Sequence, residues 1–363
     1  MLSYPLNNMK TSIRLFACIL LSLAVATTTS FATTQNESYT PEKTTSPQTL
    51  LDEKIGHYRH LYPEIKFLIL QGEEEFLVDM MTLNRELGSQ PSSMDYEHPL
   101  ALREDLMYVS VERIRIMLES QSPSASLFEV DANQNHQEYI CVLTINPRWV
   151  AADSIIATTH LLDLPQEVIK KIPQDMRLLP ADYLAFVIDH EVYHCLKSMY
   201  VGPQLMSHKE LWGGYNHFLN ELGADAYALG MHIKTRGEAS PFARNILRIR
   251  GMALYSADPD HLTCNALKQI LKVPVEDITE MSSHEIFDLA NSIKDRQLTG
   301  HDAYMQYLAS AVQAMKEIAM DEHVSDDLRN KLKDTQADPQ QVKNLVANAH
   351  RCLTELSGDE LEP

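Results

Sequence analysis

The residues best equipped for chemistry in this chain of 363 form one pentapeptide, His190-Glu191-Val192-Tyr193-His194. Side chains four apart lie one above the other on a helix face, so both imidazoles can reach a single metal ion. The glutamate after the first histidine then stands beside the open coordination position, where it can take a proton from bound water. Two imidazoles do not make a tight site. A hydrolytic zinc centre keeps three protein ligands and leaves the fourth position to water. Downstream, Asn220-Glu221-Leu222-Gly223-Ala224-Asp225 lies on a second strongly helical stretch. Glu221 and Asp225 are again four apart, so Glu221 can complete the ligand set while Asp225 accepts a hydrogen bond from a ligand histidine and orients it. Two alternatives stay open: His217, one turn before Glu221, can replace it, and Asp225 can itself be the ligand. The longer metzincin motif fails, because it requires glycine at Lys197 and histidine at Tyr200. Cys195 follows His194 and points about 100° away around the helix, towards core or a disulfide and away from a shared metal.

These residues need rigid helices to carry them. The run from Pro180 to Ser198 contains no internal proline or glycine, and Val187, Ile188, Val192 and Leu196 give it an apolar side. The HExxH segment followed by an NExxAD-type helix resembles the gluzincin metallopeptidases, the thermolysin-like group, and more loosely the CAAX-prenyl endopeptidase family and its periplasmic relatives. The resemblance spans residues 180–230. It implies zinc held by His190, His194 and Glu221, Glu191 as general base, Asp225 supporting a ligand histidine, and a zincin-like fold acting on protein or peptide substrates. An oxyanion donor is also needed, and Tyr215, His217, Tyr227, His232 and His261 are available; His217 and Tyr227 share the ligand helix. In zincins an edge strand above the active-site helix pairs with extended substrate. Tyr139–Ile145 is a candidate for that role or for an interior strand.

Before any of this comes a leader. Lys10 and Arg14 precede the apolar run Leu15–Ala26, and Ser30-Phe31-Ala32 is a small-x-small cleavage pattern, so residues 1–32 read as a signal peptide. The run is too short for a spanning helix, which needs about 20 residues, and no later stretch is long or apolar enough. The expected location is periplasmic or secreted, with no stable membrane anchor after cleavage. Cys141, Cys195, Cys264 and Cys352 remain after cleavage, an even count that suits disulfides in an oxidising compartment but allows three connectivities. Acidic residues outnumber basic ones 50 to 31, a formal charge of -19 that argues against nucleic acid and anionic membrane surfaces as partners.

Residues 33–50, rich in Ser, Thr and Pro, read as a flexible linker, residues 51–238 as the metallopeptidase domain, and residues 239–363 as a helical C-terminal region. Apolar residues make up 44% of the chain and glycines number only 12, a composition that leans helical. Helical periodicity is expected in 51–70, 73–87 and 102–118 and, after Pro180, in 181–198, 209–234, 241–256, 262–271, 283–296, 301–323 and 339–356. Phe128–Val130 and Tyr139–Ile145 are the strands, with a hairpin near Asn133–His136. The expected fold class is α+β, mostly α, with a short sheet. The functional expectation is an exported zinc-dependent endopeptidase. Its rivals are an exported helical binding or scaffold protein whose HExxH is coincidental or inactive, and a zinc amidase acting on a non-protein amide. Oligomeric state is not readable.

Overall fold

The computed structural model describes residues 46–72, 75–86, 114–119, 123–133, 136–150, 178–200, 214–256, 261–297, 301–318, 324 and 326–354. Residues 1–45, which hold the expected leader and most of the expected linker, and 102–113 of the expected helix 102–118 fall outside these residues. The first helix, α1 (Pro47–Leu61), opens on a Ser-Pro step: the Ser46 hydroxyl accepts the Thr49 amide at 3.1 Å, and Pro47 takes the first helical position. Pro47–Leu50, expected to be linker, are therefore its first turn.

After α1 the periodicity misleads. Ile65–Leu70, expected as a continuation of helix, is strand β1. It is followed by α2 (Phe76–Glu86) and the hairpin β2 (Ser124–Asn133) and β3 (His136–Thr144). The sheet order is β1-β3-β2, with β1 parallel and β2 antiparallel to the central β3. Both faces of this sheet are covered. Ile65, Phe67, Cys141 and Leu143 face the main core, whereas Leu70, Ile140 and Val142 face a smaller cluster with Leu83 of α2 and with Ile114 and Leu118. Apart from exposed Lys66, β1 is apolar and packs on both faces, so most of its polar alternation is lost and it passes for helix.

The remainder is helical: α3 (Pro147–Val150), α4 (Pro180–Tyr200), α5 (Gly214–Arg236), α6 (Pro241–Gly251), a 3-10 turn (Met252–Ser256), α7 (Cys264–Leu271), α8 (Val275–Glu280), α9 (Ser283–Asp295), α10 (His301–Glu317), α11 (Asp326–Leu332) and α12 (Pro339–Thr354). The architecture is thus mostly helical around a small three-stranded sheet. One hydrophobic core runs from Leu51 of α1 to Cys352 of α12 and includes residues on both sides of position 239. Among the described residues no helix is long and apolar enough to cross a membrane.

The contact that positions the site is the crossing of α4 and α5. Gly223 of α5 lies against Tyr193 of α4, so closely that a Cβ there would come within 2.0 Å of the Tyr193 hydroxyl oxygen. That hydroxyl donates to Asn291 Oδ1 of α9 at 2.8 Å, so the ring has little room to retreat. Gly223→Ala should therefore destabilise the protein by about 1–3 kcal/mol through overpacking. Gly56→Ala, in α1 with nothing within 4 Å of the added Cβ, should instead be neutral or stabilising by about 0.5–1 kcal/mol. Urea unfolding of both variants checks the pair, and equal effects would mean that the α4–α5 approach is looser than described.

Candidate metal centre

Helix α4 is buried on almost every side, and several of its buried polar residues meet a partner from another element. Asp182, near its start, accepts Arg236 Nε from the end of α5 at 3.1 Å. Asp189 accepts the Tyr58 hydroxyl at 2.6 Å and pairs with Lys54, both from α1. His190 and His194 follow on the side facing α5. Their Nε2 atoms lie 3.2 Å apart with the ring planes nearly perpendicular, at 79°.

Glu221 reaches across from α5. Its Oε2 lies 3.0 Å from His190 Nε2, and its Oε1 lies 3.6 Å from His194 Nε2. Donors at zinc-like distances around a tetrahedral ion stand about 3.3 Å apart, from the bond lengths of nitrogen and carboxylate ligands. The three separations straddle that value. Glu221 is 4% exposed, and among the described residues its Oε2 has no hydrogen-bond partner of acceptable geometry. The imidazole nitrogens of His190 and His261 lie near this oxygen without a well-aligned hydrogen bond, and a cation would satisfy it more fully. Two imidazoles and a carboxylate can thus hold a divalent transition ion, and His190, His194 and Glu221 form such a group.

Behind this trio stands Asp225, fully buried on the next turn of α5. Its Oδ1 lies 2.9 Å from His190 Nδ1 and accepts Arg250 Nη2 of α6 at 2.8 Å; its Oδ2 accepts the Thr263 hydroxyl. Both oxygens are thereby occupied on the side away from the two histidine Nε2 atoms. The carboxylate fixes the His190 ring so that Nε2 points at Glu221, the role outer-sphere carboxylates play for metal-ligand histidines. Burial would raise the Asp225 pKa, but Arg250 and His190 outweigh it and hold the carboxyl well below the usual range. Burial also opposes charge on His190, yet Asp225 and Glu221 prevail and push it up to about 9. On His194 burial wins, assisted by the neighbouring His190 and His217, and its pKa falls to about 3 in spite of Glu221. Glu221 is driven well below its ordinary value against burial, by His261 and His190. The cluster therefore offers one neutral imidazole and one ionised carboxylate outright, while His190 would have to give up its Nε2 proton to hold an ion.

The three donors open onto a cavity of about 330 Å³, whose wall includes Glu191, Asn220, His217, His261 and residues 123–127. Glu191 shares the cavity with the ligand trio. His217 approaches Glu221 Oε1 at 3.4 Å, but its side chain is half exposed. His261 Nε2 lies 3.2 Å from Glu221 Oε2. Of the five oxyanion candidates, His217 and His261 line this cavity. Tyr227 is packed in the core against Tyr193 and Phe287, and His232 meets Ser240 in the interior at 2.7 Å, so neither faces it. The Tyr215 side chain lies outside the described residues. Tyr139–Ile145 belongs to the central strand; the strand at the cavity is β2, whose start at 124–127 lines it. Cys195 is bonded to Cys141.

Sequence reasoning missed Arg250, Thr263 and the Tyr58–Asp189–Lys54 group. Their only signal is indirect, since a carboxylate buried beside a ligand histidine requires counter-charge and donors.

No protein-family model, no curated protein and no solved structure matches the chain.

Metal removal and reconstitution test the geometry. The full chain stripped with a chelator should take up one equivalent of a divalent transition ion, and His190→Ala or His194→Ala should abolish tight uptake. Glu221→Ala should lose it as well, whereas His217→Ala should remain near wild type, because a half-exposed side chain must be ordered before it can coordinate. If the last two variants exchange behaviour, the third ligand has been assigned to the wrong residue.

Proposed function

We propose that this protein is an exported zinc-dependent endopeptidase of gluzincin type. The observation that carries the reading is the convergence of His190, His194 and Glu221 with Glu191 on the wall of one cavity beside a strand edge. Held by His190, His194 and Glu221, zinc would polarise the scissile carbonyl and lower the pKa of a water molecule towards about 7.

The remaining work falls to the chain. Glu191 acts as general base, taking a proton from the attacking water and returning it to the leaving amine. His261 and His217 stand at the cavity wall, where an imidazole N–H can donate to the carbonyl oxygen as negative charge grows on it. Asp225, held by Arg250 and Thr263, keeps His190 in one tautomer and one orientation. Among the described residues β2 pairs with β3 alone, so its other edge can align an extended peptide through backbone hydrogen bonds, which tolerates many side chains. Export is supported by the leader-like residues 1–32 and by two disulfides, a bond type found mainly in oxidising compartments.

Glu191→Gln separates chemistry from scaffold. Its amide is nearly isosteric but cannot accept and return the proton, so zinc content and fold should persist. Hydrolysis of a peptide library by the zinc-loaded variant should fall by about 10²–10⁴-fold. Full activity would remove Glu191 from the mechanism. A wild type that binds zinc yet cleaves no peptide, but hydrolyses another amide, would turn the reading to an amidase.

A further inference from the structure

Both disulfides attach within one residue of a group that shapes the candidate metal centre. Cys195 directly follows His194 and is bonded to Cys141 in β3, so the central strand is tied covalently to the histidine helix. In register with Cys141 stands Leu127 of β2, which lines the cavity. One bond therefore sets the height of the cavity wall above the histidines as well as the seating of α4 on the sheet. The second bond, Cys264–Cys352, starts at the residue after Thr263, whose hydroxyl donates to Asp225 Oδ2. Its other end packs on Gly251, where a Cβ would come within 2.5 Å of Cys352 Cβ. Gly251 follows Arg250, the donor to Asp225 Oδ1. Thr263 and Arg250, the two groups from outside α4 and α5 that hold Asp225, are thus braced by the same cross-link.

We propose that Cys141–Cys195 and Cys264–Cys352 are positioning cross-links of the metal centre, so that the chain acquires metal tightly only in its oxidised form. The inference rests on the reading of His190, His194 and Glu221 as a metal site. Metal affinity depends on ligands and their outer partners being held in place, and losing one such partner commonly costs 10–100-fold. Forming each bond converts two thiols to a disulfide and passes two electrons and two protons to a disulfide oxidant, which leaves as a dithiol. All four cysteines are buried at 1% exposure or less. Attack by an external thiolate is therefore blocked in the folded protein. The state is set while the chain folds and is not reversed afterwards.

The test compares metal-free full-length wild type, C141A/C195A and C264A/C352A by titration with Co2+, reading its d–d absorption, alongside circular dichroism and thermal unfolding. Leu83→Ala serves as a control, because Leu83 is buried in the cluster on the far face of the sheet. The oxidised wild type should bind one Co2+. C141A/C195A should keep native secondary structure but bind about tenfold or more weakly, with an altered band, and C264A/C352A should follow with a smaller loss. Leu83→Ala should lower Tm and leave affinity and spectrum unchanged. Wild-type affinity and spectrum in both cysteine variants would overturn the inference and leave the metal site standing. So would losses no larger than those of Leu83→Ala at equal Tm. Failure of either variant to fold would make that bond a requirement of the fold and not of the centre, which also overturns it. No Co2+ uptake by the oxidised wild type would instead sink the metal reading itself.

Discussion

A carboxylate with no exposure to water survives only if every lone pair is used and a counter-charge lies beside it, and Asp225 is such a group. Its partners come from three places in the chain: His190 on α4, Arg250 on α6 and Thr263 just before α7. Removing Arg250 would take away its permanent counter-charge, and removing Thr263 would leave a buried lone pair without its donor. The requirement therefore dictates that α4, α5 and α6 meet at one point, and the helical body is arranged around that junction. Asp189 repeats the constraint on the far side of α4, where Lys54 and Tyr58 of α1 answer it. The histidine helix is consequently gripped from both sides by ionic contacts that tolerate little rotation.

The sheet contributes a wall. Because β3 is central and buried on both faces, α4 can lie against one face with β2 at the cavity edge. The apolar cluster with Leu83 covers the other face and keeps the sheet from shifting. The Gly223–Tyr193 contact completes the arrangement by bringing α5 close enough for Glu221 to reach two histidines on α4. A side chain at Gly223 would push the helices apart and lengthen both separations together. Packing and ligand geometry are here one variable.

Much of the site was legible in the sequence because it obeys a local rule: four-residue spacing on a helix puts side chains on one face, and this holds whatever the helix packs against. His190 with His194 and Glu221 with Asp225 are both such pairs. That the two pairs face each other is not local, and the spacing could not distinguish Glu221 from His217. Arg250 was hidden for a related reason. A basic residue in Asn245-Ile246-Leu247-Arg248-Ile249-Arg250 reads as a solvated helix face, and only the buried position of Asp225 makes it a counter-charge. The helices after Pro180 carried their own amphipathic stripes and were readable, with α8 and α11 too short to leave a pattern. Strand β1 was lost because most of its alternation is erased by packing on both faces.

Four imidazoles surround the Glu221 carboxylate, and the structure distinguishes among them by what each ring meets elsewhere. His190 is anchored through its second nitrogen to Asp225, and His194 is carried one turn on by the same buried helix. His217 shares a helix with Glu221, so its closeness is the ordinary consequence of four-residue spacing, and half of its side chain lies in water. His261 arrives two residues before Thr263 and so inherits its place from the contact that holds Asp225. Orientation by a buried partner removes most of the entropy that coordination would otherwise cost. The pair on α4 is therefore ordered for coordination, whereas the pair at the cavity wall is the more exposed of the two. In that division the α4 histidines suit a metal ion, and the wall histidines suit the proposed contacts with a molecule bound beside it.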